Sequence, residues 1–496
     1  MKRTWNWKAP AVICSGLGLV VLGCSTGGAN AESPAPESMK MMAQSRVNVT
    51  NLYNDTCGKC HGVNGQGGGG GTKSLNTKDK FDQKWDRPFF DVIKKGVPDF
   101  GMEAYGETMS DEVIWAMVVH IRELQAKALR AEFGGPQAEN GVYKGTRADY
   151  RIETVVDSGL KTPWAIDWLP DGKMLVTNRP GTLSVVVGGK VVGSVTGIPK
   201  VIELGQGGLM EVAAHPNYKD NGWLYLSYTE PGKENSGAGF TKVVRGKLRW
   251  NGNNAQWHSQ ETIWEVAQDN YTGSGVHFGC RLVFDKGYLY FGTGERGNGN
   301  RAQDLTRPNG KIHRVFDDGR IPTDNPFVNT DGALKSVWSY GHRNPQGLVM
   351  DANGGLWDTE HGPRGGDEVN LIKKGANYGW PNFAWSINYN DSPLNVPWDP
   401  SGKISQPAFR WLPSIGACGL DLARGAAFPA WNGDLLAGGL SGANLDRIRM
   451  KDGKFVEREE LIFGMGRVRD VSVAPDGTVY VALNQPDKII RLVPAN

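Results

Sequence analysis

The chain has 496 residues and a formal net charge of +3 at pH 7, and it is rich in glycine (68 residues) and tryptophan (17 residues). A chain of this length forms about two to four domains with large cores. Three basic residues lie within the first eight positions, so the rest of the sequence carries no net charge and no basic stripe. We therefore expect no nucleic-acid partner.

The first 31 residues predict a secretory signal peptide. Lys2, Arg3 and Lys8 precede a mostly apolar run, residues 9–22, which is too short to predict a membrane span. Two processing sites remain open. Residues 29–31 (Ala-Asn-Ala) suit a signal peptidase, whereas residues 21–24 resemble a bacterial lipobox, in which Cys24 would carry a lipid anchor. Both routes predict export, in a bacterium to the periplasm.

Residues 32–45 are rich in Ser, Ala, Pro and Met and predict a linker before a small domain at residues 46–133. The segment Cys57-Gly58-Lys59-Cys60-His61 in this domain has the spacing of a c-type haem attachment site. The thiols of Cys57 and Cys60 would bond the porphyrin, and His61 would ligate the iron. Half of a zinc site is the alternative. It would need a second Cys/His pair at ligand spacing, and none follows within about one hundred residues.

The second iron ligand is expected between the haem motif and the last helix of this domain. Met102 lies in a glycine-flanked loop, so its sulfur can approach the iron; Met109 is the competitor, and Met117 is expected in the core. Ser110 followed by two acids predicts the start of the last helix. Its apolar residues recur at helical spacing: Val113, Ile114, Met117, Val118, Ile121 and Leu124. Haem motif, methionine loop and helix together resemble class I cytochrome c, which implies an all-α domain.

Residues 134–150 predict a second linker, and beyond it the sequence repeats with a period of two. Residues 164–177 predict a strand, a Pro-Asp-Gly turn and a second strand. Related units begin near Gly208, Gly279, Pro345, Gly419 and Val468. Units this small must pack against one another, so residues 151–496 predict an all-β, six-bladed β-propeller. A β-sandwich pair is the alternative, and the irregular spacing argues against a β-helix.

Glycines and polar side chains cluster beside the predicted strands, where a propeller binds ligands on its loops. The clusters are 205–208, 275–279, 341–347, 360–368 and 467–470. Two of them extend into long motifs, SYGHRNPQG at 339–347 and HGPRGGDEVN at 361–370. Residues 164–493 thereby resemble the soluble PQQ-dependent glucose and aldose sugar dehydrogenases, the glucose/sorbosone dehydrogenase group. The resemblance implies a propeller that holds pyrroloquinoline quinone (PQQ) and Ca²⁺ and oxidises a sugar.

The resemblance also implies roles for individual residues. His277 would be the general base that removes the hydroxyl proton, because neutral imidazole suits proton abstraction near neutral pH. Arg343 would stabilise the negative charge that develops on the quinone, with Asn344 and Gln346 beside it. Gln206 would contact cofactor or substrate.

Three further segments are expected to contact the cofactor. Arg467 and Arg469 are two positions apart on a predicted strand, so both can face the cofactor carboxylates. Tyr389 resembles a residue that stacks on the cofactor. The segment Gly439-Leu440-Ser441 falls on a cofactor-binding stretch, but Ser441 stands where the family usually has a lysine. This departure removes one positive charge from the site.

Calcium takes oxygen ligands, and the resemblance implies that Gly362 and Pro363 supply backbone carbonyls to it. Glu368 and Tyr378 resemble a second Ca²⁺ site. Cys280 and Cys418 could form a disulfide in an oxidising compartment, but we expect buried free thiols, since a large domain needs no such crosslink.

These expectations combine into an exported quinohaemoprotein. A sugar, or a related aldehyde or alcohol, would be oxidised in the propeller, and its electrons would pass to the fused haem c. A downstream acceptor would follow, for example a cytochrome, an azurin-like protein or an oxidase. The alternative is an extracellular propeller that only binds its target, with the cytochrome as a separate electron shuttle.

Overall fold

The computed structural model describes residues 47–69, 72–233 and 236–495. The predicted signal peptide, the lipobox cysteine Cys24 and the linker at 32–45 lie outside the described residues. Within those described ranges, no helix is both long enough and apolar enough to cross a membrane.

The first part of the described chain is helical. The helices are α1 (Val49–Asp55), α2 (Gly58–His61), α3 (Asp86–Lys95), α4 (Asp111–Phe133) and, further along the chain, α5 (Tyr218–Asn221). Short 3₁₀ turns cover Lys78–Lys80, Gln83–Trp85, Pro98–Phe100, Gln268–Asn270, Gly299–Ala302 and Pro429–Trp431. The predicted last helix is confirmed as α4. The Ser110 hydroxyl accepts a hydrogen bond from the Val113 amide (3.4 Å) and so caps its start.

The remainder is mostly β-sheet. The early strands are β1 (Ala138–Glu139), β2 (Val142–Tyr143), β3 (Tyr150–Val156), β4 (Pro163–Trp168), β5 (Met174–Asn178), β6 (Thr182–Val187), β7 (Lys190–Thr196), β8 (Leu209–Ala214), β9 (Leu224–Pro231), β10 (Gly239–Asn251), β11 (Asn254–Trp264), β12 (Leu282–Asp285) and β13 (Tyr288–Thr293). The later strands are β14 (Lys311–Phe316), β15 (Val337–Tyr340), β16 (Pro345–Met350), β17 (Leu356–Glu360), β18 (Asp367–Ile372), β19 (Phe409–Trp411), β20 (Ala417–Leu422), β21 (Leu435–Gly439), β22 (Asn444–Lys451), β23 (Lys454–Phe463), β24 (Arg467–Val473), β25 (Val479–Asn484) and β26 (Lys488–Pro494).

These strands form antiparallel groups that follow the predicted repeat. The groups β12–β15, β16–β19 and β20–β23 are separate four-stranded sheets. The groups β4–β7 and β8–β11 are joined into one eight-stranded sheet by a short parallel pairing of β7 with β11. The predicted unit starts coincide with β4, β8, β12, β16, β20 and β24, so the periodicity located the first strand of every group.

The two ends of the sheet region meet in one sheet. Strand β3 pairs with the last strand, β26, in a six-stranded sheet of order β1-β2-β3-β26-β25-β24. The first strands also contact one another in sequence, from β4 through β8, β12, β16, β20 and β24 back to β4. This fold is propeller-like. Because β3 and β26 pair with each other in the last sheet, neither strand is left with a free edge on that side.

The segment predicted as a linker at 134–150 contains structure. Strands β1 and β2 form a small hairpin, and Tyr143 of β2 pairs with Tyr150 of β3. The two tyrosine rings stack with centroids 5.2 Å apart. The connection between the helical part and the sheets is therefore attached to the last sheet.

The helical part packs directly on the loops of the sheet region. Trp115 of α4 meets Trp385 edge-on, with ring centroids 5.2 Å apart. Ile387 is fully buried in the same apolar cluster as Trp115 and other α4 side chains. Arg364 adds a two-bonded ion pair to Glu123 of α4 (2.8 and 2.7 Å). The two parts therefore share one continuous core.

A buried ion triad lies at this contact. Asp86 of α3 is 2 % exposed and accepts hydrogen bonds from Arg122 of α4 (2.6 Å) and from Arg410 of the sheet region (2.5 Å). Burial lowers the pKa of Arg410. Because buried charges are stable only when paired, each member of the triad holds the other two in place.

Candidate active site

The haem motif lies on α2 and borders an apolar cavity of about 210 Å³. Cys57, His61 and Met102 all line this cavity, together with aromatic and aliphatic side chains of α3. Cys60 lies one turn from Cys57 and is exposed. Met117, in contrast, is fully buried in the core of α4, as predicted.

The cavity fits a haem by its chemistry. Burial lowers the pKa of His61, so the ring is neutral and can donate a lone pair to iron. Two buried nitrogens at the cavity, His61 Nδ1 and Trp85 Nε1, have no hydrogen-bond partner among the described residues. The apolar wall suits the porphyrin ring, and the free indole N–H suits a propionate.

The second centre lies around His277. Its backbone N–H donates to Gln206 Oε1 (2.9 Å), and its Nδ1 contacts the Glu295 carboxylate. The backbone N–H of Gln206 in turn donates to Gly275 O (2.7 Å). A Cβ on Gly205 would lie 2.2 Å from that carbonyl, so the neighbouring position must be glycine. The predicted clusters at 205–208 and 275–279 are thus brought together.

The protonation of His277 follows from its surroundings. His277 is 9 % exposed, and burial lowers its pKa, with the contact to Glu295 opposing the shift. The ring is therefore neutral at pH 7. With Nδ1–H donating to Glu295, Nε2 presents its lone pair outward. This is the state that a general base requires.

Glu295 and Arg296 complete this centre, and the sequence analysis did not identify them. Glu295 is 2 % exposed, and its backbone N–H donates to Arg343 O (2.9 Å). Arg296 donates to the carbonyls of Val276 (2.7 Å) and Ser274 (2.5 Å) and so holds the segment that carries His277. Burial lowers the pKa of Arg296 to about 9. Their position after β13, between two glycines, was the signal in the sequence.

The backbone of Arg343 contacts Glu295, the partner of His277, and its side chain extends to the loop that contains Gly362. It is 5 % exposed, and its guanidinium donates to Gly362 O (3.1 Å). The predicted Ca²⁺-binding carbonyl of Gly362 therefore faces Arg343 in this structure. Pro363 follows it and is buried. Asp367 fixes the loop by accepting a hydrogen bond from the Gly362 amide (2.9 Å).

Asn344 and Gln346 connect the inner strands. Asn344 Oδ1 accepts from the Gly279 amide (3.1 Å), and Gln346 donates to Gly279 O (2.9 Å). Arg343 Nε and Asn344 Nδ2 are buried donors without a partner among the described residues. Free donors of this kind fit a ligand rich in carbonyl and carboxylate oxygens, as PQQ is.

The two predicted arginines lie on β24. Arg469 is 7 % exposed, lies over the Trp164 ring (4.0 Å) and donates to Gln346 Oε1 (3.4 Å). Arg467 is half-buried, and both its burial and the charge of Arg469 lower its pKa. Two cations that face the same anionic ligand repel each other in this way.

The remaining predicted residues differ in how buried they are. Leu440 is buried and donates its amide to Gly416 O (2.9 Å), next to Gly439, whereas Ser441 is exposed. Tyr389 is 72 % exposed and does not line the pocket around Arg343. The structure therefore gives Tyr389 no enclosed surface on which to stack.

Glu368 and Tyr378 line the same pocket as Arg343 and Gly362. The Tyr378 hydroxyl, however, is engaged elsewhere: it donates to Leu371 O (2.7 Å) and accepts from the Lys373 amide (2.9 Å). Its ring stacks on His342 at 4.6 Å. Any ligand oxygen from Tyr378 would therefore come from its backbone.

Two further acids lie beside Glu368. Asp358 and Glu360, on β17, form with His342 a group whose ligand atoms lie within 4.8 Å of one another. Asp358 is fully buried, and its carboxylate oxygens have no hydrogen-bond partner in the described part of the chain. Burial and the neighbouring Glu360 raise the pKa of both Asp358 and Glu368. The carboxylates of this group and of Glu368 fit a hard cation such as Ca²⁺, whereas the His342 ring is already hydrogen-bonded to Ser339 (2.8 Å) and Glu360 (3.0 Å).

The free-thiol expectation for the two late cysteines is confirmed. Cys280 and Cys418 are buried and unbridged. Burial raises the pKa of Cys280 to about 12, so its thiol is neutral and unreactive.

Comparisons with known proteins agree with this arrangement. The Glucose / Sorbosone dehydrogenase family matches residues 160–491, and the family of the cbb3-type cytochrome c oxidase subunit III matches residues 47–121. The aldose sugar dehydrogenase YliI of Escherichia coli is 38% identical over 359 residues, which cover 70% of this chain and 94% of the relative.

Solved structures show the same likeness. The apo-form of the soluble aldose sugar dehydrogenase of E. coli superposes with a TM-score of 0.64 at 35% identity, covering 70% of this chain and 99% of that one. The PQQ-bound aldose sugar dehydrogenase of Streptomyces coelicolor superposes with a TM-score of 0.56 at 26% identity, covering 72% and 99%. The chain belongs to the Glucose / Sorbosone dehydrogenase family and carries a cytochrome domain at its N-terminal side.

Proposed function

We propose that this chain is a quinohaemoprotein sugar dehydrogenase. It oxidises an aldose, or a related aldehyde or alcohol, with PQQ and Ca²⁺ held in a six-bladed propeller, and it passes the electrons to haem c in its own all-α cytochrome domain. The observation that carries this proposal is the neutral His277, oriented by Glu295 and Gln206, beside the buried Arg343. The sheet order, with β3 completing the last group, supports the six blades.

PQQ, when bound, supplies the acceptor for the hydride of the sugar. The chain supplies the proton acceptor. Nε2 of His277 takes the hydroxyl proton, and the Glu295 carboxylate stabilises the imidazolium that forms. Since His277 is buried, little water competes for its lone pair.

Arginines and amides hold the cofactor in this proposal. Arg467 and Arg469 would pair with carboxylates of the bound cofactor, and Arg343 and Asn344 would donate hydrogen bonds to its other oxygens. Ser441 cannot contribute a charge, so these arginines carry the ionic part of the binding.

Calcium is proposed at the acidic pocket next to Arg343. Glu368, Asp358 and Glu360 supply the carboxylates, and backbone carbonyls near Gly362 and Tyr378 complete the oxygen ligands. Bound Ca²⁺ would lower the raised pKa values of Asp358 and Glu368, because it favours their ionised form.

The haem would be bonded by Cys57 and Cys60 and ligated by His61 and Met102. A thioether ligand raises the reduction potential, as an electron acceptor requires. The shared core of the two domains makes electron transfer intramolecular, at a high effective concentration of the acceptor. A periplasmic location, a lipid anchor on Cys24 and a further acceptor protein remain part of the proposal.

The haem spectrum tests this function. The protein, loaded with haem, PQQ and Ca²⁺, should show its haem absorption change to the reduced form when an aldose is added. The same protein without PQQ should show no change. If no member of a broad sugar panel reduces the haem, the dehydrogenase proposal fails and the binding-module alternative gains support.

Glu295→Gln should change the pH profile of the enzyme. The Glu295 charge raises the pKa of His277, so its loss leaves burial and Arg343 to lower that pKa further. We expect the acid limb of kcat/KM to move to lower pH, because His277 then stays neutral at lower pH. The limiting rate should fall by up to about 10⁴-fold, the loss seen when an orienting carboxylate is removed from a catalytic histidine.

The matched control is Glu153→Gln, which removes an exposed carboxylate paired with Arg491 (2.9 Å). This variant should leave the pH profile unchanged. An acid limb of Glu295→Gln that stays in place, or moves to higher pH, would show that another group controls the profile.

A further inference from the structure

The side chain of Arg281, the residue before β12, joins the first strands of several strand groups. Its Nε donates to Gln346 O of β16 (2.9 Å), and its Nη2 donates to Arg469 O of β24 (3.0 Å). Its Nη1 contacts the carboxylates of Glu211 on β8 (2.9 Å) and Asp470 on β24 (3.0 Å). One guanidinium therefore bonds to β8, β16 and β24, while its own backbone leads into β12.

The first strands of the two remaining groups join the same contact. Asp470 Oδ2 accepts a hydrogen bond from the Ile166 amide of β4 (2.9 Å). Cys418 Sγ of β20 donates to Arg469 O (3.0 Å), the carbonyl that also accepts from Arg281. Arg281 is 5 % exposed, so these bonds are protected from competing water. The first strands β4, β8, β12, β16, β20 and β24 are thus connected, directly or through one more residue, to a single side chain.

Both carbonyls that Arg281 bonds to belong to residues of the candidate active site. The Arg469 guanidinium donates to Gln346 Oε1 (3.4 Å), so the two side chains contact each other. Gln346 also donates to Gly279 O (2.9 Å), in the cluster at 275–279. Arg281 therefore holds the backbone from which both the Arg469 and the Gln346 side chains extend into the site.

The contact uses the shape of the arginine as well as its charge. A guanidinium presents five N–H donors in a rigid, planar fork, so it can reach carbonyls and carboxylates of separate strands at fixed angles. A lysine ammonium carries the same charge at one point and cannot span these groups. The charge itself compensates the buried carboxylates of Glu211 and Asp470. Arg281→Lys therefore removes the fork and keeps the charge.

We propose that Arg281 is a positioning residue of the cofactor site, which sets the places of the Gln346 and Arg469 side chains through their backbone carbonyls. The proposal rests on the proposed function, since Gln346 and Arg469 are expected to contact PQQ. Arg281 acts through the residues that it bonds to, without a contact of its own to sugar or cofactor. A crosslink that serves stability alone is the alternative.

Binding of PQQ separates these two roles. The full-length protein, loaded with haem and Ca²⁺ but free of PQQ, is titrated with PQQ by calorimetry. Arg281→Lys should raise the Kd for PQQ about tenfold, the factor expected when a hydrogen bond from a charged donor is lost. The control Arg447→Lys changes a fully buried guanidinium whose partners, among them Glu459 (2.9 Å), do not belong to the candidate site. It should lower the free energy of unfolding in urea and leave the Kd unchanged.

A double variant tests the route of the effect. If Arg281 acts through Arg469, the Kd of the variant that combines Arg281→Lys with Arg469→Lys should rise by less than the product of the two single increases. An increase equal to that product would overturn the action through Arg469. Glu211→Gln, which keeps the arginine and removes one of the carboxylates that hold it, tests the same role if Arg281→Lys does not fold. It should also raise the Kd for PQQ.

Hydrogen exchange supplies a measurement that needs no PQQ. In the PQQ-free protein, Arg281→Lys should speed amide exchange about tenfold in residues 344–348 and 467–471, and Arg447→Lys should leave both segments unchanged. Unchanged exchange in Arg281→Lys, or an unchanged Kd where the parent protein binds PQQ, would overturn the positioning role. If exchange rises in both segments but the parent binds no PQQ, Arg281 still positions these residues and the proposed dehydrogenase function fails.

Discussion

Replacing His277 with alanine is expected to lower the rate of sugar oxidation by about 10²- to 10⁴-fold, the contribution of a well-placed general base. The buried imidazole is neutral, and Glu295 orients its ring so that Nε2 can accept the hydroxyl proton. The reduction of haem by an aldose, followed by absorbance in a rapid-mixing instrument, measures this loss. Sugar binding and the haem spectrum should stay unchanged, because neither depends on the base.

The matched control is His258→Ala on β11, whose ring bonds to the neighbouring Ser259 (3.0 Å). It should oxidise sugars at the parent rate. Full activity in His277→Ala would show that another group takes the proton. An unchanged affinity for sugar together with lost turnover would also separate the enzyme from a propeller that only binds its target.

The overall organisation could be predicted because it depends on local periodicity. Alternation with a period of two located β4, β8, β12, β16, β20 and β24, and helical spacing after Ser110 located α4. These patterns arise from which side of an element faces the core, so they are visible in one segment at a time. The hairpin of β1 and β2 escaped notice because each strand has only two residues.

The site could be predicted where glycine-rich motifs marked it, and it could not where the chemistry depends on contacts between distant segments. His277 contacts Gln206 directly, and Arg343 contacts Glu295, which in turn contacts His277. Glu295 follows its strand as a single acid, and only the fold shows that its carboxylate meets His277. Asp358 and Glu360 alternate on β17, but their burial depends on the neighbouring sheet.

Contacts between the domains could not be predicted from the sequence either, because they also join distant segments. Asp86 and Arg410 are separated by 324 positions, and neither lies in a recognisable motif. Tyr389, which the resemblance implies as a stacking residue, is 72 % exposed, and its role stays a prediction.

Replacing Asp86 with alanine should have the largest effect on the coupling of the two domains. The change leaves the guanidinium groups of Arg122, which is 1 % exposed, and Arg410 next to each other without their shared carboxylate. Breaking a buried ion pair in this way costs about 3–5 kcal/mol. We expect the free energy of unfolding of the cytochrome domain to fall by that amount, measured in urea by the haem absorbance band.

The same variant should separate electron transfer from sugar oxidation. If the triad holds the haem domain against the propeller, Asp86→Ala should slow the reduction of haem by sugar while oxidation coupled to a small dye acceptor continues at the parent rate. The control Asp91→Ala, also on α3, removes only the exposed pair with Arg87 (3.1 Å), which is worth less than about 1 kcal/mol. Parent-like stability and parent-like haem reduction in Asp86→Ala would mean that the apolar contact of Trp115 with Trp385 holds the domains together without the triad.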